Sequence, residues 1–360
     1  MASRASCDGE PGAEMESPAL HRLTESPAPD PEDGVGAPGA ARPASALENT
    51  TSKTASRTPK RRRSTRGRAP VWVALIWLGP VLVLILGVVI FPAIELVKAS
   101  GGRYSITGLR KGSAGLSNYT NVLHHPSLGT VLLNTLIWVA AVVVLTILLS
   151  LALAQFLAKD FFGRKLVRWA VLVPWAASLV ITSRLFTLIF DYYHGILNEL
   201  LVKLHVIDAP IDWLGDDTWT MPSMILVGVL VSVPFTAYVL LAGLNSIPDE
   251  VGEAARIDGA GPWQAYRRVT VPLLRPALLV SAVLNMIYVF NSFPIIWTLN
   301  DRNPGYSHDT TITFMYKLAF KSADRDVGMS AAAGVFNVVL ILVAVVCYLR
   351  IVKWREEEPS

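Results

Sequence analysis

Four polar side chains recur within one apolar run in the second half of the chain. They are Asn285, Tyr288, Asn291 and Ser292, at offsets of three, six and seven residues, which lie along one face of a helix. Amides and hydroxyls with an aromatic surface beside them suit recognition of a sugar or another polyol. Because a polar group facing lipid costs free energy, such a face turns toward the interior of a bundle. The pattern predicts either a path for a hydroxylated solute or polar contacts that hold helices together.

A second group of functional side chains stands between two apolar runs, in the sequence EAARIDGAGPWQAYRRVTVP from 253 to 272. The pattern predicts a helix that begins at Pro248, whose fixed φ suits a first turn, and that ends at Gly259. Pro262 then opens a second short helix, which Pro272 breaks. We expect a helical hairpin outside the membrane, and a short amphipathic hairpin lying on lipid headgroups is the alternative.

Residue patterns for catalysis or metal binding are missing from the sequence. It contains no GxxxxGK[ST] phosphate loop, so ATP would be handled by another subunit. Every histidine lies outside the apolar runs or at an edge, and the adjacent His124 and His125 lack carboxylate or thiolate support. The two cysteines, Cys7 and Cys347, form neither a disulfide framework nor a metal site. We predict no catalytic residue, no metal site and no cofactor in this chain.

Long apolar helices are the elements that must position these groups. Hydrophobic residues make up 52% of the 360-residue chain and charged residues 17%, a balance typical of a polytopic membrane protein. A helix of about 20 apolar residues crosses the hydrocarbon core and satisfies its own backbone hydrogen bonds there. We predict an all-α membrane bundle with six transmembrane helices. Their ranges are 71–97, 131–157, 166–190, 222–244, 276–299 and 328–351.

The ends of the chain differ from the apolar middle. Residues 1–68 are rich in Pro, Ala, Ser and acidic groups, which predicts a disordered tail. The basic end of this tail, KRRRSTRGR, is expected to touch anionic lipid rather than nucleic acid. With the tail in the cytoplasm, the inner segments hold nearly twice as many Lys and Arg residues as the outer ones, so both termini are predicted to be cytoplasmic. The membrane domain would span 69–355, and residues 356–360 would form a cytoplasmic C-terminus.

The polar stretch resembles the EAA motif of permease subunits in bacterial ABC importers. The motif positions are filled, at the spacing of the family, by Glu253, Ala254, Ala255, Gly259, Val269, Val271 and Pro272. The surrounding sequence, IPDEVGEAARIDGAGPWQAYRRVTVPLLRPAL, is similar to the carbohydrate-uptake branch of maltose-type permeases. The segments GLSNYTNVL at 115–123 and FNSFPIIWTL at 290–299 also match the family, as do Asn134 and Thr135. The segment TLNDRNPG at 298–305 departs from it, because the family often has Thr, one residue and then Gly-Gly-Pro.

The resemblance implies a type I ABC importer permease with a cytoplasmic coupling hairpin at about 246–272, seated in a groove of an ATPase subunit. The residues implied to couple to the ATPase are Glu253, Ala254, Ala255, Asp258, Gly259 and Pro272. The implied partners are a second permease of similar fold, two ATPase subunits that bind ATP and Mg, and an extracytoplasmic solute-binding protein. The implied function is import of a sugar or related polyol across the inner, plasma membrane of a bacterium.

Two alternatives to a sugar permease remain open at this point. One is an ABC permease for a solute other than a sugar. The other is an ion-coupled secondary transporter, a class that usually holds acids or histidines inside its spans to carry the coupling ion. Arg168 and Arg350 lie at the inner ends of their predicted spans. The other charged residues in the spans are Glu95 and Arg184, both toward outer ends, and the absence of further acids or histidines favours the ABC class.

Overall fold

The protein was examined as a computed structural model, which describes residues 71–301, 303, 305–322 and 325–357. The predicted tail and its basic end lie outside these residues. The first eight helices in chain order are α1 (Val71–Leu84), α2 (Phe91–Ser100), α3 (Ser117–Leu123), α4 (Leu128–Ala158), α5 (Arg164–Trp175), α6 (Leu179–Ile189), α7 (Ile196–Lys203) and α8 (Thr220–Leu244). The next seven are α9 (Asp249–Ile257), α10 (Pro262–Ala265), α11 (Val271–Leu273), α12 (Arg275–Phe290), α13 (Phe293–Leu299), α14 (Thr311–Phe320) and α15 (Val327–Glu357). Two π-helical segments (Ile85–Ile90 and Tyr266–Thr270) and an antiparallel hairpin of β1 (Gly102–Tyr104) and β2 (Arg110–Ser113) lie among them.

Long apolar helices dominate the described part of the chain. Four are long and apolar enough to cross a membrane, at Leu75–Ser100, Leu128–Ala158, Thr220–Leu244 and Val327–Val352. A fifth candidate is a bent pair, Pro262–Leu273 and Arg275–Phe290, whose limbs meet at 66°. The chain is therefore an all-α, polytopic membrane protein, as the composition predicts. The predicted total of six spans stays a prediction.

Two of the six predicted spans are interrupted rather than continuous. The run 166–190 is divided between α5 and α6, because Ser178 adopts an extended conformation with ψ of 136°. The run 276–299 is divided between α12 and α13 at Asn291 and Ser292. Both breaks are short enough that the hydropathy pattern runs across them without a gap.

Each π-helical segment ends two residues before a proline, at Ile90 before Pro92 and at Thr270 before Pro272. A proline has no N–H to donate, and its ring clashes with the carbonyl four residues earlier. A wider π turn changes the hydrogen-bonding pattern just ahead of the proline and lets the helix continue. The prolines therefore distort these helices without ending them.

The central contact of the bundle joins α4 to α8. A Cβ atom at Gly228 would lie 2.7 Å from Cη2 of Trp138, so only glycine lets the indole pack against this helix. The buried Trp138 donates its Nε1 hydrogen to the Val289 carbonyl at 3.0 Å, which ties α4 to α12. Ser150 Oγ donates to the Val233 carbonyl at 3.1 Å, beside Pro234 in α8. These contacts fix three helices around one interior.

A polar network anchors the loop before α14. Asn134 Nδ2 donates to the Ser307 carbonyl at 2.7 Å and to the Asp309 carbonyl at 3.2 Å. Thr135 Oγ1 accepts from the Thr311 amide at 2.9 Å. The two polar residues near the start of α4 therefore hold a segment more than 170 positions later in the chain.

A buried ion pair lies in the same network. Lys317 Nζ is 2.6 Å from Asp309 Oδ2, and the two side chains are only 9% and 1% exposed. Asn300 Nδ2 donates to Asp309 Oδ1 at 3.0 Å, and Lys317 Nζ also donates to the Gly305 carbonyl at 2.6 Å. Burial raises the pKa of the Asp309 carboxyl above its ordinary value, although Lys317 opposes the shift. Asn300 and Gly305 belong to the segment where the sequence departs from the Gly-Gly-Pro pattern, so the ion pair contacts that segment at both residues.

Candidate functional site

The first limb of the polar hairpin is helix α9. The sequence predicted Pro248 in the first turn of this helix. Pro248 has φ of −61° and ψ of 140°, so it is instead the residue that caps the helix. Asp249 and Glu250 follow at once, where carboxylates interact favourably with the positive end of the helix dipole. The helix begins one residue later than predicted, because a proline at the cap can remain extended.

Gly259 forms the turn of the hairpin. Its φ is +80°, the left-handed conformation that glycine adopts without a steric penalty. The Ala260 amide donates to the Ala255 carbonyl, and the Gly259 amide to the Arg256 carbonyl, both at 3.0 Å. This pair of bonds is a Schellman motif, which satisfies carbonyls at the end of α9. The turn predicted at Gly259 is present, with the backbone geometry that requires glycine.

The second limb does not end at Pro272, in contrast to the prediction. It runs from Pro262 through the π segment into α11, and the bend comes at Leu274. Leu274 stands midway between Pro272 and Pro276, neither of which can donate a backbone hydrogen bond. The prolines act as a pair, and the residue between them takes the bend.

The two alanines of the motif face different ways. Val251 is half-buried and Ala255 is 8% exposed, so this face packs against the second limb of the hairpin. Ala254 is exposed, as are Glu253 and Asp258. Adjacent residues of a helix lie about 100° apart around its axis, so only one of two neighbouring alanines can point inward.

Two large apolar side chains stand exposed on this polar hairpin. Ile257 is 86% exposed and Trp263 is 71% exposed, and they lie on either side of the turn. The isoleucine stands between Arg256 and Asp258 in the sequence, a position where a solvated helix would not need an apolar residue. Sequence reasoning missed both residues as candidates for a contact surface.

An open cavity of about 260 Å³ lies between α5, α8 and α12, and Trp175, Phe235 and Tyr288 in its lining are each 41% exposed. Trp175 and Phe235 stack on one side of it, with ring centroids 6.1 Å apart and ring planes at 16°. Asn285 and Tyr288 of α12 line the cavity, together with Ser232 and Thr236 of α8. The structure thus brings two of the four predicted path residues to one cavity.

Asn285 carries a free hydrogen-bond donor. Its side chain is buried, and its Nδ2 has no hydrogen-bond partner among the described residues. Ser232 and Thr236 already donate to helix carbonyls, at 2.7 and 3.0 Å. A buried amide without a partner costs about 1 to 3 kcal/mol. A solute with an acceptor oxygen would recover that free energy.

The other two predicted path residues occupy the break in the fifth apolar run. Asn291 is exposed, and its Nδ2 donates to the Ile287 carbonyl at 2.9 Å at the end of α12. Ser292 is buried, precedes α13, and has no hydrogen-bond partner for its Oγ among the described residues. The sequence predicted one continuous helical face for the four residues, and this prediction is wrong. Pro294 prevents α12 from continuing, so Asn291 and Ser292 lie at the break.

The aromatic stack was not predicted. Trp175 and Phe235 belong to different helices, and the period of either helix alone does not show which residue it meets.

Groups of three or more His, Cys, Asp or Glu residues that would hold a metal ion are absent from the described part of the chain.

Comparison with known proteins places the chain among membrane transport components. Residues 146–356 match the family of binding-protein-dependent transport system inner membrane components. A Brucella suis protein named as a probable ABC transporter permease is 38% identical over 273 residues, which cover 76% of this chain and 93% of the relative. The trehalose/maltose transport system permease protein MalF of Thermococcus litoralis is 32% identical over 279 residues, covering 77% and 92%.

The fold is also similar to that of a solved transporter. A chain of the bacterial alginate ABC transporter, in complex with its alginate pentasaccharide-bound periplasmic protein, superposes with a TM-score of 0.67 at 22% identity. The match covers 80% of this chain and 96% of that one. From the matched family, the relatives and the helical bundle together, this chain belongs to the family of binding-protein-dependent transport system inner membrane components, the permeases of ABC transporters.

Proposed function

We propose that this permease imports a sugar or related polyol and that ATP hydrolysis on separate subunits drives it. The observation that carries the substrate class is the cavity between α5, α8 and α12, which is lined both by an asparagine with an unpaired buried amide and by an aromatic stack. The apolar face of a sugar ring can pack against the aromatic rings, and a sugar hydroxyl can accept a hydrogen bond from the Asn285 amide. The relatives include permeases named for trehalose/maltose and for diacetylchitobiose, which supports the same class.

The coupling role of the hairpin is part of this proposal. Glu253, Ala254 and Asp258 lie on an exposed face, so a partner can contact them. We propose that an ATPase subunit receives this face, with Ile257 as an apolar contact and Glu253 as a charge partner. The rigid Schellman turn at Gly259 would then transmit movement of the ATPase to α12 through the second limb.

The proposed assembly contains a second permease of similar fold, two ATPase subunits that bind ATP and Mg, and an extracytoplasmic solute-binding protein. Both termini and the hairpin would be on the cytoplasmic side of the plasma membrane, in accordance with the distribution of basic residues. This chain would supply the path and no catalytic group.

Uptake kinetics test the substrate cavity. In the assembled transporter, Asn285→Ala removes one net hydrogen bond of about 0.5 to 1.5 kcal/mol and should change the apparent affinity for the sugar by about two- to tenfold at normal complex yield. The matched control is Ser281→Ala, one turn earlier on α12, because Ser281 is buried but its Oγ already bonds to the Leu278 carbonyl at 3.0 Å. This control should leave the affinity unchanged.

Tyr288→Phe supplies a second measurement at the same cavity, since it removes a hydroxyl and keeps the ring. A shift in preference among sugars at normal yield supports the path. Loss of complex yield with unchanged preference would show that these residues only hold helices together. Uptake of a charged or apolar solute, with no response to sugars, would instead favour the alternative of a permease for a different solute.

A further inference from the structure

An open groove of about 840 Å³ lies between the end of α4 and the polar hairpin. One wall is apolar, formed by Leu148, Leu151 and Ala152 of α4. The opposite wall carries Trp263 and Tyr266, whose rings pack with centroids 5.8 Å apart. The groove therefore joins the apolar surface of a long membrane-spanning helix to an aromatic pair at its end.

The charged side chains that line the groove are both cations. They are Lys159, directly after the last residue of α4, and Arg256 of α9. The described lining residues include no carboxylate. Asp160, next to Lys159 in the chain, is already paired with Arg164 and does not line the groove.

The groove also contains a free donor. Gln155 lies on α4 one turn before Lys159, and its buried Nε2 has no hydrogen-bond partner among the described residues. An amide donor with two cations calls for an occupant that offers acceptor oxygens and negative charge. The apolar wall formed by Leu148 and Leu151 calls for an occupant that is also a hydrocarbon.

We propose that this groove binds one anionic phospholipid. The phosphate would lie at Lys159, Arg256 and Gln155, and an acyl chain would lie along Leu148 and Leu151. Basic pockets between membrane helices bind anionic headgroups, and Trp and Tyr prefer the level of the headgroups. A free phosphate would satisfy the cations but would leave the apolar wall without a partner, so the lipid fits better.

Such a lipid would connect two elements whose chain positions are about a hundred residues apart. Its headgroup would hold α9 and the second limb of the hairpin against the end of α4. The site does not depend on which solute is transported, and the experiment below measures lipid contact rather than transport. Its outcome is therefore separate from that of the proposed function.

The test uses the full chain with its partner subunits in nanodiscs that contain phospholipids brominated on their acyl chains. Bromine quenches tryptophan on contact, and subtraction of the signal of the Trp263→Phe variant isolates the contribution of Trp263. Near a membrane surface each basic side chain favours an anionic lipid by about fivefold, so two should favour it by about 30-fold. Brominated phosphatidylglycerol should therefore quench Trp263 at a mole fraction about 30-fold lower than brominated phosphatidylcholine.

In the variant Lys159→Gln/Arg256→Gln, the two brominated lipids should quench Trp263 at similar mole fractions. The matched control Lys165→Gln/Arg275→Gln removes two exposed cations that do not line the groove, and it should keep the preference. Equal quenching by both lipids in the unmodified protein would overturn the proposal, as would an equal effect of the control pair. Absence of any quenching of Trp263 would show that protein covers the groove, and this result would also overturn it.

Discussion

Replacement of Lys317 by methionine should destabilise the permease strongly. The change leaves Asp309 buried, at 1% exposure, without the ammonium group now 2.6 Å away. Breaking a buried ion pair by removal of one partner costs about 3 to 5 kcal/mol, because an uncompensated charge remains. A loss of this size corresponds to a fall in melting temperature on the order of 10 °C. Thermal unfolding of the purified complex, followed by intrinsic fluorescence, measures it.

A double variant tests the physical reason. In Lys317→Met/Asp309→Asn no charge remains, and the oxygen of the new amide still accepts the hydrogen of Asn300 Nδ2. This variant should recover at least half of the lost melting temperature. The reasoning is refuted if the double variant is no more stable than Lys317→Met alone.

The pH dependence gives an independent check on the same pair. Burial raises the pKa of Asp309, so the folded state keeps a proton at pH values where the unfolded carboxyl has lost it. The contribution of this group to stability therefore falls as pH rises through the interval between the two pKa values. Without Lys317 the folded pKa rises further and the interval widens. The loss of melting temperature caused by Lys317→Met should become smaller as pH is lowered toward the ordinary carboxyl pKa. A loss that does not depend on pH would contradict this account.

Three further predictions concern topology, the turn and the core. In a cysteine-free background, a single cysteine at Asp217 should react with an impermeant thiol reagent outside intact cells and one at Gln264 should not; labelling at Gln264 would reverse the orientation. Gly259→Val forces a β-branched residue to φ of +80° and should reduce substrate-stimulated ATPase activity and uptake. The control Gly252→Val, where a Cβ meets nothing within 4 Å, should reduce them much less. Gly228→Ala places a Cβ 2.7 Å from Trp138 and should destabilise the complex by about 1 to 3 kcal/mol in thermal unfolding, unlike an alanine at Gly252.

The helical membrane fold could be predicted because it follows from the composition of short, contiguous stretches of the sequence. Apolar runs of sufficient length form helices in lipid whatever their neighbours are, and the runs beginning near Val71, Val131 and Pro222 appear with their bounds shifted by a few residues. The turn at Gly259 was also predictable, since it follows from the spacing of one motif and the conformational freedom of glycine.

The breaks and the cavity were not predictable in the same way. Pro294 and Ser178 were visible signals, but the apolar runs around them are long enough to suggest unbroken helices. The stack of Trp175 on Phe235 depends on how α5 lies against α8, and no periodicity in one helix contains that information. Helical geometry requires Ala254 and Ala255 to point in different directions. To predict which of them is buried, one must also know on which side of α9 the second limb lies.

The break between α12 and α13 restricts how the bundle can move. A continuous helix would need the Phe290 carbonyl to accept from residue 294, which is a proline without an N–H. The Val289 carbonyl is already occupied by Trp138 Nε1 at 3.0 Å and by the Ser292 amide at 3.2 Å. A single straight helix over the fifth apolar run would lose these hydrogen bonds. We therefore expect α12 and α13 to move as two separate rigid segments, each tilting against the helices packed on it.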